Sequence, residues 1–195
     1  MSPVEVRIAP DLLRGRVAEL GADITNAYRG TEPLLISLLH GSAVFLADLV
    51  REVPLALTVD FLAITRYEQG GGRARIVKDL DVDIRDRHVL IVEDIVDTGL
   101  RMAYLLQVLA MRSPASLRIC AFLDRRVRRI AELPLDWVGF EVGDEYLVGY
   151  GLDLDGRLRH VPAVLAVPDR DAIAEDPEGA VAAALARSGP AGTVG

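Results

Sequence analysis

The residues best suited to chemistry follow a short apolar run, HVLIV at 88–92. Three carboxylates come next, and then a hydroxyl and a glycine that precede a helical pattern: Glu93, Asp94, Asp97, Thr98 and Gly99. Carboxylates grouped at the end of a buried strand repel one another and need a cation or hydroxyl partner. Unpaired amides at the start of a helix can hold a phosphate. The spacing predicts a site for a phosphorylated sugar, with a solvated acidic turn as the alternative interpretation.

Four nearly continuous apolar runs, each followed by a polar or glycine turn, supply the framework for this site. They lie at 33–39, 55–64, 88–92 and 116–123. A helical pattern precedes them and predicts a first helix from Asp11 to Tyr28, capped by Asp11 and ended by Gly30. Buried strands that alternate with helices predict an α/β domain with a parallel sheet covered on both faces. Ligands bind such sheets beyond the carboxyl ends of the strands.

The composition excludes several classes of protein. A chain of 195 residues with 51% hydrophobic and 26% charged residues is expected to fold as one domain. The net charge of -7 disfavours nucleic acid as a partner. No apolar stretch suits a membrane helix, and the N-terminus lacks a signal-peptide pattern, so we expect a cytoplasmic protein. The single Cys120 excludes an intramolecular disulfide.

The segment VLIVEDIVDTG resembles the phosphoribosyl diphosphate signature of type I phosphoribosyltransferases. Other segments follow, in order, the pattern of the hypoxanthine-guanine branch of that family: PLLISLLHGSAVFLADLV, VDFLAITRY, IVKDLDVDIRDRHVLIVEDIVDTG, ICAFLD, and DWVGFEVGDEYLVGYGLD with RLRHVP. The resemblance covers residues 3–167. It implies a mainly parallel central sheet flanked by helices, with a small hood formed by N- and C-terminal segments.

The resemblance also implies a reaction. The family transfers a ribose 5-phosphate unit from phosphoribosyl diphosphate to a purine nitrogen and releases pyrophosphate, with Mg²⁺ bound. Carried over to this sequence, Glu93 and Asp94 hold the ribose hydroxyls and help to place the metal, and Asp97 accepts the purine proton. The residues implied to bind the 5-phosphate are Thr98, Gly99, Leu100 and Arg101. Negative groups held near the sugar would stabilise the positive charge that develops as pyrophosphate leaves.

The remaining subsites are implied in the same way. Pyrophosphate is assigned to Leu39, His40, Gly41 and Arg159, and the metal site also includes Asp153. For the purine, Arg125 is implied to read the exocyclic oxygen, Tyr146 to stack on the ring, and the backbone of Leu147 to read its edge. Arg66 and Tyr67 belong to the lid loop. From the residues alone, Tyr146 and Leu147 also suit the core of a short strand, and Arg128 and Arg129 suit a solvated basic turn.

Four positions depart from the family pattern. The family has lysine, after a cis peptide bond, where this chain has His40 after Leu39, and it has lysine where this chain has Arg125. A hydroxyl side chain of the phosphate loop is replaced by Arg101. The lid reads Thr65-Arg66-Tyr67 and then three glycines, where a Ser-Tyr pair is common. These departures bear on the substrate more than on the fold. At Arg125 the reason is that arginine is longer than lysine and forked.

Residues 1–168 are therefore predicted to form one phosphoribosyltransferase domain, with a hood from 1–30 and 136–168. Residues 169–195 lose their large apolar side chains, which predicts a disordered or frayed tail. Family members commonly form homodimers or homotetramers, and we expect the same here.

The leading hypothesis is a transferase that acts on hypoxanthine or guanine in purine salvage, with phosphoribosyl diphosphate as the donor. Two alternatives stay open. One is a transferase for a modified or ring-variant purine, and the other is a regulatory protein that binds phosphoribosyl diphosphate without turning it over. Retention of Asp97 argues against the second alternative, because binding alone has little need for a base.

Overall fold

The predicted apolar runs form the strands of a central sheet. The computed structural model describes residues 3–64 and 75–188. Its strands are, in chain order, β1 (Glu5–Ile8), β2 (Leu34–Leu38), β3 (Thr58–Ile64), β4 (Ile76–Lys78), β5 (His88–Val96), β6 (Ser116–Asp124), β7 (Trp137–Glu141), β8 (Tyr146–Val148) and β9 (Val164–Val167). Its α-helices are α1 (Pro10–Ala27), α2 (Ser42–Leu49), α3 (Leu100–Ala110) and α4 (Pro177–Ser188).

The chain divides into two compact units. The core unit comprises residues 16–144, and the terminal unit comprises residues 1–15 and 145–195, so that the boundary falls within α1. The predicted hood, from 1–30 and 136–168, has different boundaries and stays a prediction.

The core unit holds a six-stranded sheet in the order β4-β3-β2-β5-β6-β7. Strand β2 runs parallel to β3 and β5, β6 runs parallel to β5 and β7, and the edge strand β4 is antiparallel to β3. The predicted mainly parallel α/β architecture is confirmed. In such a sheet the carboxyl ends of β2, β5 and β6 point to the same edge, which is where the candidate residues of this unit follow their strands.

Both faces of this sheet are covered, as the continuous apolar runs predict. Met102, Leu105 and Leu109 of α3 are buried against alternate residues of the strands, including Val89 and Ile91 of β5. On the opposite face, Phe45 of α2 packs on Phe122 of β6 with ring centroids 5.0 Å apart. Each fully buried Leu, Ile or Phe contributes about 1.5–3 kcal/mol relative to an exposed one. The strands that carry the candidate site therefore lie in the best-packed part of the unit.

Several element boundaries differ from the sequence prediction; β3, for example, begins at Thr58 and not at residue 55. Strand β5 continues through the acidic residues to Val96, because its ladder with β6 continues as far as the pair Val96–Asp124. Helix α1 begins at Pro10, which suits a first helical position because that position needs no amide donor. Asp11 is therefore inside the first turn, where it pairs with Arg14, and is not the cap. Gly30, with φ of 81°, takes the predicted left-handed conformation.

The terminal unit is built on an antiparallel sheet in the order β1-β9-β8. The prediction of a disordered tail from residue 169 is wrong over 177–188, which forms α4. Val181 and Ala184 are buried in the apolar cluster of this unit, and a forked ion pair joins Arg157 to Glu178. Small residues with few large apolar side chains are sufficient here because the helix needs only a narrow buried stripe. Residues 189–195 lie outside the described residues.

No helix within 3–64 and 75–188 has both the length and the apolar character that a membrane span requires.

Candidate active site

Residues 93–101, which we call the acidic elbow, lead from β5 into α3. Side chains alternate between the faces of a strand, so Glu93 lies on the same face as Val89 and Ile91, towards α3. There the Arg101 guanidinium donates to Glu93 Oε1. Glu93 is 1% exposed, and its Oε2 is buried without a hydrogen-bond partner among the described residues. The glutamate implied to hold the ribose thus lies in the interior beside an arginine.

Burial governs the ionisation of this glutamate. Removal from water disfavours the carboxylate and raises the pKa of Glu93 to about 7, although the Arg101 guanidinium acts in the opposite direction. The neighbouring Asp94 raises the pKa further. Arg101, which stands where the family has a hydroxyl side chain, therefore serves at least to compensate a buried acid. Its implied contact with a 5-phosphate stays a prediction, as do the implied sugar and metal contacts of Glu93.

The turn of the acidic elbow requires glycine. Gly99 has φ of 82°, and a Cβ atom placed on it would lie 2.7 Å from the Ala131 carbonyl oxygen. The Thr98 carbonyl accepts the amides of Ile130 and Ala131 at 2.9 and 3.0 Å, which holds the turn in place. Helix α3 begins immediately afterwards at Leu100, whose amide lies 3.4 Å from Thr98 Oγ1. The first-turn amides of α3 thus lie at the predicted phosphate position and lack partners within the helix.

Two arginines from the turn after β6 approach Asp97, the implied base. Asp97 Oδ2 lies 3.6 Å from Arg125 Nη1 and 3.9 Å from Arg128 Nη1. Its Oδ1 is buried and has no hydrogen-bond partner among the described residues. Arg125 is buried and donates to the Gly143 carbonyl at 3.0 Å. The structure therefore brings together Asp97 and Arg125, the base and the purine-reading residue that the resemblance implies.

Arg129 has a role that the sequence interpretation missed. It was assigned to a solvated turn, but its guanidinium pairs with Asp124 and donates to the backbone carbonyls of Asp97, at 3.1 Å, and Val96, at 3.4 Å. Asp124 is buried and Arg129 is largely so, with side chains 7% and 11% exposed. Burial raises the pKa of Asp124, and the Arg129 guanidinium opposes that rise. The sequence signal that could have indicated this ion pair is an aspartate at the end of a strand, five residues before an arginine.

The predicted pyrophosphate loop follows β2. The peptide bond between Leu39 and His40 is cis, as the resemblance implies. The Leu39 amide donates to the Leu62 carbonyl of β3 at 2.9 Å, and the His40 carbonyl accepts the Ala43 amide at 3.3 Å. Gly41 immediately precedes α2. These residues thus form the link between β2 and α2.

The residues implied to contact purine, pyrophosphate and metal after position 145 all lie in the terminal unit. The Tyr146 hydroxyl donates to the Asp153 carbonyl at 2.6 Å, and Arg159 pairs with the Asp153 carboxylate at 2.8 Å. Leu147 is buried in β8. A further residue that the sequence interpretation missed is Arg170, whose guanidinium lies 4.4 Å from the centre of the Tyr146 ring. The implied lid residues Arg66 and Tyr67 lie outside the described residues.

Comparisons with known proteins place this arrangement in a family. The phosphoribosyl transferase domain matches residues 11–155. The hypoxanthine phosphoribosyltransferase of Salmonella typhimurium is 46% identical over 166 residues, which are 83% of this chain and 93% of that protein. The hypoxanthine-guanine phosphoribosyltransferase of Bacillus subtilis is 39% identical over 163 residues, which are 82% and 91% of the two chains.

Solved structures agree with the sequence relatives. The crystal structure of a hypoxanthine-guanine phosphoribosyltransferase from Bacillus anthracis matches with a TM-score of 0.80 and 35% identity, covering 86% of this chain and 99% of that one. A hypoxanthine phosphoribosyltransferase from Staphylococcus aureus matches with a TM-score of 0.82 and 33% identity, covering 86% and 92%. The chain belongs to the type I phosphoribosyltransferase family. Within that family, its similarity is to the hypoxanthine-guanine branch.

We call the contacts of Arg129 with Asp124, Asp97 and Val96 the clamp. The clamp predicts that Arg129 contributes more to the free energy of unfolding than its neighbour Arg126 does. Arg129→Ala should lower the free energy of unfolding by about 2–4 kcal/mol, because it leaves the buried Asp124 carboxylate and the Asp97 carbonyl without their Arg129 donor. Arg126→Ala is the matched control, since Arg126 is 71% exposed and should change stability by less than about 0.5 kcal/mol. Urea denaturation measures both. Equal effects of the two substitutions would contradict the clamp.

The buried Glu93 predicts a pH dependence of stability. Between its ordinary pKa of 4.5 and the raised value of about 7, the folded protein holds the Glu93 proton more tightly than the unfolded chain does. The free energy of unfolding should therefore fall as the pH rises through this window. Glu93→Gln should remove that component in urea titrations at pH 4.5–7.5. Glu141→Gln, at an exposed position, should retain it, and a slope unchanged by Glu93→Gln would contradict the assignment.

Proposed function

We propose that this protein transfers the 5-phosphoribosyl group of phosphoribosyl diphosphate to hypoxanthine or guanine in purine salvage. The observation that carries the proposal is Asp97, an acid whose buried Oδ1 has no hydrogen-bond partner among the described residues. It lies where the predicted phosphate turn leaves the sheet. A general base has to lie close to the reacting purine, and the amides at the start of α3, next to Asp97, can bind the phosphate. The names of the sequence relatives support hypoxanthine and guanine as acceptors.

In the proposed reaction, a purine nitrogen attacks the anomeric carbon of the ribose, and pyrophosphate leaves with the electron pair of the broken bond. Asp97 then takes the proton that the purine nitrogen becomes ready to lose. Arg125 Nη1 lies 3.6 Å from the Asp97 carboxylate. Arg125 also donates to the purine carbonyl oxygen in this proposal. The amides at the start of α3 hold the 5-phosphate and fix the sugar in place.

We propose Mg²⁺ as the cofactor. The described residues contain no group of three or more His, Cys, Asp or Glu side chains suited to hold a metal by themselves. That finding fits Mg²⁺, which commonly binds one or two protein carboxylates together with substrate phosphates and water. Asp94 is a half-buried carboxylate of the acidic elbow and fits this role better than Glu93, which is only 1% exposed. When bound, the ion offsets the negative charge of the departing pyrophosphate.

A second candidate function keeps the reaction and changes the acceptor to a modified or ring-variant purine. Arg125 favours it, because a forked guanidinium anchored on the Gly143 carbonyl presents a different set of donors from a lysine ammonium. We further propose a homodimer or homotetramer as the working form, on the family resemblance alone.

The proposed activity is tested with purified protein, phosphoribosyl diphosphate, Mg²⁺ and a panel of purine bases. Nucleotide should form from hypoxanthine or guanine, and removal of divalent metal with EDTA should abolish its formation. A strong preference for a non-standard base would favour the second candidate. No nucleotide from any base in the panel would overturn both candidates.

Asp97→Asn should lower kcat by about 100-fold or more, because the amide cannot take the purine proton. The affinity for phosphoribosyl diphosphate should change little, since the amides of α3 and the turn at Gly99 are retained. Asp48→Asn, on the surface of α2, is the matched control and should leave both quantities unchanged. Steady-state kinetics together with calorimetric binding of the donor separate the two effects. A parallel loss of turnover and donor binding would make Asp97 a structural residue.

A further inference from the structure

The chain continues past the family match into a segment that is firmly attached to the terminal unit. Residues 168–188, which we call the C-terminal extension, follow β9 and lie beyond residue 155, where the family match ends. Helix α4 anchors the extension through Val181 and Ala184, through the forked pair with Arg157, and through Arg187, which donates to the Val4 carbonyl at 2.9 Å. Side chains near the start of the C-terminal extension therefore have defined positions.

Arg170, near the start of the C-terminal extension, covers an aromatic ring. Its guanidinium carbon lies 4.4 Å from the centre of the Tyr146 ring, which is well within the range of a cation–π contact. The same ring packs against the apolar cluster of the terminal unit, and its hydroxyl is held by the Asp153 carbonyl. Tyr146 is thus fixed in orientation, with its ring covered by a cationic side chain.

The Arg170 guanidinium can also occupy a second position, in an acidic cavity. Arg170 lines this cavity of about 610 Å³ together with three carboxylates, those of Asp155, Asp169 and Asp171. Its Nη2 already lies 3.6 Å from Asp155 Oδ1, and half of its side chain is exposed. A guanidinium that leaves the ring therefore remains among acidic groups, where its charge is compensated. This lowers the cost of uncovering Tyr146.

We propose that Arg170 determines how strongly the acceptor base binds, by occupying the face of Tyr146 on which the purine stacks. The inference rests on the proposed function, which makes Tyr146 the platform for the base. A purine and a guanidinium both bind an aromatic ring through its face, so they compete for it. Base binding moves Arg170 into the acidic cavity, and the C-terminal extension thereby weakens base binding without touching the donor.

The test is Arg170→Ala, with steady-state kinetics for the base and for phosphoribosyl diphosphate. The KM for hypoxanthine or guanine should fall by about two- to five-fold, which corresponds to the loss of one partly exposed cation–π contact. The KM for phosphoribosyl diphosphate should not change. Arg170→Lys keeps the charge and should remain close to the wild type. Arg51→Ala, an exposed arginine on another element, is the matched control. A base KM that is unchanged or higher in Arg170→Ala overturns the proposal.

Equilibrium dialysis of labelled hypoxanthine and guanine against the wild type and Arg170→Ala gives a second readout that does not depend on turnover. Tighter base binding by the variant supports the proposal even if no nucleotide forms, in which case only the proposed reaction fails. Identical base affinities in an active enzyme overturn the role of Arg170 and leave the reaction standing. A wild type that neither binds a purine nor forms nucleotide overturns both.

Discussion

The dominant constraint on this molecule is the cost of placing carboxylates at the end of a buried strand. An ionised carboxylate removed from water is stable only beside an opposite charge or a set of donors. Three acids in this region meet an arginine: Glu93 meets Arg101, Asp97 meets Arg125, and Asp124 meets Arg129. The arginines come from the segments that follow β5 and β6, so the strand ends and the turns beyond them depend on one another. The chemistry proposed for Asp97 is possible because its neighbours are neutralised in this way.

Arginine suits this task better than lysine because one guanidinium can serve several acceptors at once. Arg129 shows the advantage, since the same fork reaches a carboxylate and two backbone carbonyls. Arg101 shows the corresponding cost. A phosphate that binds at the start of α3 meets a guanidinium whose charge is already offset by Glu93, so the helix amides must supply much of the attraction. The replacement of a hydroxyl by arginine therefore changes the balance of charge in the turn and does not simply add a cation.

The sequence was sufficient to predict the parallel sheet and the elements that flank the acidic elbow. Continuous apolar runs and helical spacing reflect burial directly, and burial determines these elements. The sequence was insufficient where the end of a strand or the contacts of a side chain depend on residues that are distant in the chain. Strand β5 passes through Glu93 and Asp94 because β6 continues beside it, and no local pattern contains that information. The clamp by Arg129 is of the same kind, because its contacts cross from one strand end to another. Helix α4 was missed because its buried stripe is as narrow as Val181 and Ala184, and the many alanines around these residues leave no clear apolar pattern in the sequence.

The pairing of β1 with β9 joins strands that lie on either side of the core unit in the sequence, and it has a consequence for biosynthesis. Every strand of the core unit emerges from the ribosome before β9 does, so that sheet can assemble during translation. Strand β1 emerges before these strands but has no partner until β9 has been made. Closing so long a loop carries a large entropic cost that neighbouring strands do not incur. The small antiparallel sheet is therefore expected to form after the sheet of the core unit, and its residues, Tyr146 among them, become ordered only after β9 has left the ribosome.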